Sequence, residues 1–379
     1  MVASEAPESL DAFTITPAPP AKPELFVDHE KTGRSGHIGH ALFQRPDGEI
    51  FAFFPNCASD DPGRHGTTGH SATGWMEVKR SRDGGRSWSE PVPLDYSKRT
   101  FDAKLGHTIF TEKAVVTDNG TIVLFHLLCD VSKDALWEPY LVPTSTRSTD
   151  GGETWSEPIE LCPDRGRIYS AIHADGLVCA LKFRNDAEEN FCGSTDEHIY
   201  SLYASRDDGA SFHRISDLPF DTRGRGYGTL CRLNDGRLIA YVYNRNDEEH
   251  LDYAISNNGG ISWSPPRRSV FAKRIRNPQM IGFGGGYFMH GRSGTYGPEP
   301  GKGHFVMYYS RDGVTWDDGI YLAKREHGQG AYSNSLVVRS SEGHVDGKGP
   351  LRLRIHASHA YSADSTNIVA WWVDEAARG

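Results

Sequence analysis

No stretch of the 379 residues comes near the ~18 consecutive apolar side chains of a membrane-crossing helix. Positive charge is also in short supply. Lys and Arg number 41 against 50 Asp and Glu, a net charge of −9, so the chain has no basic field to hold a nucleic-acid backbone or an anionic membrane, and an anionic ligand must be met by a few placed arginines. The six cysteines (Cys57, Cys129, Cys162, Cys179, Cys192 and Cys231) contain no CxxC pair, which argues against a zinc ribbon or redox motif, and a disulfide framework is not expected at this length. Cys179 and Cys231 sit in strand-like apolar runs and read as core thiols. The opening MVASEAPESLDAFTITPAPP lacks the charged-then-apolar pattern of a signal peptide. The expectation is therefore a cytoplasmic protein, or a secreted or periplasmic one whose leader has been removed.

Turn-formers and aromatics are abundant: 41 Gly, 21 Pro, 8 Trp, 16 Tyr and 17 Phe, with a mean hydropathy of −0.54. This composition excludes disorder and collagen and favours a turn-rich β protein. It is organised by a repeat. Ser81-Arg-Asp83-Gly-Gly85-Arg-Ser-Trp88 returns at Ser148 to Trp155, Ser205 to Phe212 and Ser256 to Trp263, and one residue shorter at Ser310 to Trp316. The template SxDxGxxW builds a hairpin tip. Asp or Asn followed by Gly makes a tight turn with positive φ, the Asp caps the turn amides, and the Trp plugs the space beneath. Each copy follows a β-rich run such as TGWMEVKRS or IYSLYASR and so joins two outer strands of a small sheet.

The repeat resembles the Asp box, or BNR repeat, of the sialidase superfamily. That resemblance implies an all-β fold, a propeller of four-stranded antiparallel blades over a single domain 1–379 with a short extension at about 1–20. Six inner hairpins are readable, beginning at His40, Lys113, Tyr169, Tyr227, Met280 and Tyr332. They predict six blades, with seven as the alternative. The sixth is completed by IVAWWVD and the N-terminal strand Phe13 to Thr16.

In a propeller the first strand of each blade lines the axis, and residues opening that strand or closing the second face the pocket. That test selects Arg34, His37, His40, Asn56, His107, Glu112, His126, Arg167, Tyr169, Arg184, Tyr227, Arg245, Gln279, His290, Arg292, Tyr332 and Asn334. The set is rich in His, Tyr and Arg and poor in the paired carboxylates of ordinary glycoside hydrolysis, for which only Glu112 and Asp130 qualify. A sialidase resemblance implies Arg-Ile-Pro in the first inner strand, three arginines, and a Glu beside a Tyr nucleophile. Here the first strand reads Gly36-His-Ile-Gly-His40 and Tyr227 takes the Glu position, while Tyr332-Ser-Asn-Ser-Leu is similar to a sialidase nucleophile strand.

His, Tyr and Arg also suit β-elimination at a uronic acid, where a base takes the C5 proton and a cation neutralises the carboxylate. The order His107, His126, Tyr169, Arg184 resembles that of the propeller polysaccharide lyases that cut rhamnose–glucuronate linkages, the ulvan lyases among them. The resemblance implies Tyr169 as base and acid, His107 as its partner, His126 in substrate binding or proton bridging, and Arg184 as neutraliser. His40, Tyr227, Arg245, Arg292, Tyr332 and Asn334 would bind substrate. Such lyases are seven-bladed, so a count of six is a departure.

The leading expectation is thus a lyase acting on an acidic carbohydrate. A sialidase-like exo-glycoside hydrolase with Tyr332 as nucleophile or Glu112 as acid is the alternative, and a non-catalytic carbohydrate-binding propeller the third reading. No cofactor or metal is required by the chemistry. His65, His70, Cys192 and His198 could assemble a structural cation site. Neither nucleic acid nor membrane is an expected partner.

Overall fold

The computed structural model describes residues 10–58, 72–131, 140–185, 198–221, 225–244, 248–294, 303–328, 330–339 and 349–376, without the side chains at 184, 185, 198 and 225. Six antiparallel sheets stand around one axis. Blade 1 runs from a split inner strand, Arg34–Ser35 and Leu42–Gln44, through Ile50–Ala58 and Gly74–Ser81 to Val92–Pro93. Blades 2 to 5 each have four strands in sequence order, opening at His107–Val116, Arg167–Ala174, Arg225–Arg232 and Arg276–Phe283. Blade 6 comprises Ser333–Arg339, Leu351–Ala360 and Thr366–Glu375, and its outer edge is taken by Phe13–Thr16 and Glu24–Val27 from the other end of the chain. This settles the count at six, with the closure expected from Phe13 to Thr16. An early strand completing the last blade ties the ring shut and covers an edge that would otherwise be open to pairing. Arg354 of that blade, fully buried, donates to both carboxylate oxygens of Glu24 at 2.6 Å.

The hairpin tips form as the repeat predicts. In the first, Ser81 Oγ donates to Asp83 Oδ1 at 2.8 Å and accepts from the Gly85 amide at 2.8 Å, while Asp83 accepts from the Ser87 amide at 2.9 Å and the Ser87 hydroxyl at 2.5 Å. The same bonds recur around Asp150, Asp207 and Asp312, and at Asn258 the backbone bond recurs while Asn258 Nδ2 donates to the Ser262 hydroxyl. The ring of the tip makes a second contact that the sequence did not predict. It lies beside its own turn, Trp88 within 3.6 Å of where a Cβ on Gly85 would stand, and it also wedges against the preceding blade.

Trp155 packs on Phe43 and Phe53 of blade 1, Phe212 on Phe125 of blade 2, and Trp88 on Phe26 beside blade 6. Trp263 Nε1 donates to Ser216 of blade 3 and Trp316 Nε1 to Tyr241 of blade 4. The tip glycines serve the same contact. Gly209, at φ +80°, would bring a Cβ to 2.6 Å from Val123 of blade 2. The repeat is therefore an inter-blade fastening, and it stands at the end of each blade opposite the openings of the inner strands. A helix missed by the sequence reading, Asp95–Asp102, links blades 1 and 2.

Candidate active site

At the axis, backbone irregularities determine which side chains face inward. The pairing register of the inner strands shifts between Thr111 and Lys113, Ile168 and Ser170, Arg225 and Gly228, and Arg276 and Gln279. The residues thrown out of register are Glu112, Tyr169, Gly226 with Tyr227, and Asn277 with Pro278. Bulges re-aim side chains without ending the ladder, and four at equivalent positions furnish one end of the axis with polar groups. Gly226 is required there, because a Cβ would sit 2.2 Å from the Tyr243 ring. Asn277 holds a left-handed φ of 50°, a conformation sustained by its surroundings.

The centre of this end is Arg167, fully buried. Its Nε donates to Glu112 Oε2 at 2.5 Å and its Nη1 to the Tyr140 hydroxyl at 3.1 Å. The guanidinium carbon lies 4.9, 4.8 and 5.3 Å from the ring centres of Tyr169, Tyr227 and Tyr332. Nη2 is buried without a hydrogen-bond partner among the described residues. Burial works to lower the Arg167 pKa, yet the facing Glu112 carboxylate carries it well above its ordinary value. Burial likewise pushes Glu112 up against the pull of Arg167. At 2.5 Å the two form an ion pair.

Tyr332 donates to the Tyr227 hydroxyl at 2.9 Å, and its ring meets His37 of blade 1 edge-on at 4.9 Å. Tyr169 donates to the carbonyl of Asn277 at 3.2 Å, across the axis from blade 3 to blade 5. Two further arginines, Arg276 and Arg292, half-buried, stand on blade 5. Arg276 lies 3.2 Å from Glu248, and burial together with the like charge of Arg276 brings the Arg292 pKa down to about 10. The Tyr332 phenol interacts electrostatically with Arg167, Arg276 and Arg292 alike. All six blades thus contribute, and three guanidiniums and two carboxylates, Glu112 with Arg167 and Glu248 with Arg276, stand at this end of the axis.

The sequence-selected residues divide accordingly. Tyr169, Tyr227, Tyr332, Arg292 and Glu112 are brought together. Asn334 is adjacent and donates to the Glu112 carbonyl at 2.8 Å. His40 is buried beside them, its Nε2 on the His37 carbonyl at 3.1 Å, with burial taking its pKa to about 4 and that of His37 to about 3. Both are neutral imidazoles at pH 7.

His126 does not join them. Its ring nitrogens are taken by the hydroxyls of Thr111 at 3.1 Å and Thr146 at 2.9 Å, and burial pushes its pKa to about 3. It is a satisfied core histidine, because the residue sits in the second strand between two neighbouring strands and not at the strand's end. His107 opens its inner strand as expected, paired across to Asp130, five residues ahead of Glu112. The Arg184 side chain, Arg245, and the proposed cation ligands His65, His70 and Cys192, with the side chain of His198, lie outside the described residues. Among those described, no group of three or more His, Cys, Asp or Glu side chains is placed to hold a metal. Tyr169 is buried to the point that its phenol is pushed well above its ordinary pKa, which opposes the base role the sequence reading gave it.

Tyr140, Asn277, Arg276 and Lys113 were not among the residues selected from the sequence as facing the pocket, although Lys113 was read as the start of an inner hairpin. Tyr140 stands in what reads as a long loop, and the other three depend on bulges that leave no mark in the hydrophobic alternation. No helix among the described residues is long and apolar enough to cross a membrane.

The BNR repeat-like domain model matches residues 75–346. Over 286 residues the chain is 27% identical to a sialidase of Micromonospora viridifaciens, an alignment covering 67% of this chain and 40% of that protein. The chain thus spans well under half the length of that relative. Among solved structures, a protein of unknown function from Dyadobacter fermentans superposes with a TM-score of 0.68 at 13% identity, over 94% of this chain and 100% of the other. A Hadza microbial sialidase gives 0.65 at 13%, over 93% and 68%. The NanB sialidase of Streptococcus pneumoniae gives 0.60 at 11%, over 95% and 72%. At these identities the structural likeness speaks for the fold.

Proposed function

Because the chain belongs to the BNR repeat-like family, we propose that it is a sialidase-like glycoside hydrolase acting on an acidic sugar, with Tyr332 as nucleophile. The observation that carries this reading is Arg167, its guanidinium 5.3 Å from the Tyr332 ring centre and its Nη2 buried without a partner among the described residues, with Arg276 and Arg292 paired across the neighbouring blade. Partly desolvated cations that crowd one another, as Arg276 and Arg292 do, favour an anion between them. A carboxylate would relieve the repulsion between Arg276 and Arg292 and could engage the unpartnered Nη2 of Arg167.

With the carboxylate so held, the Tyr332 oxygen attacks the anomeric carbon and the bond to the departing oxygen breaks. The Tyr332 proton passes by way of the Tyr227 hydroxyl, 2.9 Å away, toward that oxygen. Water then hydrolyses the tyrosyl glycoside. The guanidiniums stabilise the phenolate character that develops before attack.

A second reading, the rhamnose–glucuronate lyase, is favoured by one feature. The partner of Tyr332 is a phenol, Tyr227, where a hydrolase would place a carboxylate, and Glu112 is committed to Arg167. In that case Tyr332 or Tyr227 takes the C5 proton while the arginines neutralise the uronate.

One experiment separates the two. Acidic glycans carrying sialyl and rhamnose–glucuronate linkages are incubated with the protein while reducing ends and the ultraviolet absorbance of a 4,5-unsaturated uronate are followed together. The proposal expects reducing ends without absorbance, and a fall of roughly 10²–10⁴-fold in Tyr332→Phe. Rising absorbance would transfer the assignment to the lyase, and undiminished cleavage by Tyr332→Phe would remove Tyr332 from the chemistry.

A further inference from the structure

Lys113 belongs to no step above. It follows the bulged Glu112 on the inner strand of blade 2, and its ammonium donates to Asn334 Oδ1 at 2.5 Å. Asn334 lies in blade 6, two residues beyond Tyr332, and its Nδ2 donates to the Glu112 carbonyl at 2.8 Å. Blade 1 intervenes between these blades, so the two bonds are a tie between non-adjacent blades. One end of that tie is the residue that anchors Arg167. The other is the strand that presents Tyr332.

The charges facing Lys113 come from its neighbours in turn. Glu112 on its own strand is the anion. Cys231 on the inner strand of blade 4 is held as a thiol, burial raising its pKa to about 12, and His290 on the second strand of blade 5 is neutral, burial lowering its pKa to about 3.

We propose that Lys113 is a positioning residue, which through Asn334 fixes the Tyr332 strand against the Glu112–Arg167 pair. The inference rests on the reading that Tyr332 acts in the reaction. Desolvation brings the Lys113 pKa down to about 7, against the pull of Glu112. Below that pH the ammonium grips the Asn334 carbonyl; above it a neutral amine donates more weakly and the tie slackens. Turnover should therefore fall on the basic side with a midpoint near pH 7.

The test takes the full chain with Lys113→Met and reads two quantities: hydrogen exchange of the 331–339 amides, and kcat and KM against pH on whichever acidic glycan the wild type cleaves. The expected result is exchange faster by about tenfold or more in that segment. With it, kcat should fall ~10–100-fold at little change in KM, as for misplacement by about 1 Å, and the basic-side midpoint near pH 7 should vanish. Exchange at the wild-type rate, or an unaltered pH profile, overturns the proposal.

Where Lys113→Met does not fold, Lys113→Gln, which keeps a donor without the charge, is measured in the same way. It should retain protection and show a flat profile, and a profile like that of the wild type overturns the role. If the wild type cleaves none of the glycans, the functional reading falls by itself. Exchange then decides the tie alone, a wild-type rate in Lys113→Met counting against it.

Discussion

Arg167 illustrates what a single buried charge demands. With the whole side chain inside the ring, its cost is met by one carboxylate, one phenol and three aromatic faces. Removing the carboxylate leaves the cation uncompensated, so Glu112→Gln should lower the unfolding free energy by about 3–5 kcal/mol, read from urea denaturation. A loss under about 1 kcal/mol would mean that Arg167 is solvated and is not the buried centre described. At this scale the sequence was partly legible. Arg167, Tyr227 and Tyr332 could be found because residues at the openings of inner strands face the axis, and Glu112 because the hairpin was read as starting beside it, at Lys113. His126 could not be told from a site residue by position alone, since only the hydroxyls of Thr111 and Thr146 show that its nitrogens are occupied.

Elements carry the stability that the site draws upon. The hairpin tips hold their carboxylates in a web of amides and hydroxyls and wedge a ring into the neighbouring blade, so each acts on two blades at once. At Asp207, burial works to raise the pKa, but bonds from the Ser211 and Ser205 hydroxyls and the Ser211 amide bring it to about 2. The folded pKa is depressed below that of the unfolded chain. The stabilisation is therefore complete above about pH 4 and is lost as pH falls through about 2. Asp207→Asn should melt below the wild type at pH 7, with the gap closing toward pH 2 and turnover at neutral pH unaffected. A gap independent of pH would show that the carboxylate charge contributes nothing. The tips were the most legible part of the sequence, because a turn with positive φ constrains residue type at fixed spacing. The bulges of the inner strands were the least legible. One extra residue in a buried strand alters the direction of a side chain without altering the composition around it, which is why Asn277 and Lys113 were not selected.

On the scale of the whole molecule, the closed ring brings six inner strands to one place, and the strands from the N-terminal part hold blade 6 in that ring through pairs such as Arg354 with Glu24. The blade number followed from the six inner hairpins, and the closing of the last blade from the apolar run at 368–373 and the strand Phe13 to Thr16. The chemistry did not follow as readily, because an Arg, His and Tyr set serves elimination and hydrolysis alike. Arg167 stands 5.3 Å from the Tyr332 ring centre, with Arg276 and Arg292 paired on the neighbouring blade, and the proposal stands on their taking a substrate carboxylate. The most direct measurement compares kcat/KM for an acidic glycoside that the protein cleaves with that for its methyl ester. A loss of about 10²-fold or more on esterification is the predicted result; equal rates for acid and ester would contradict it.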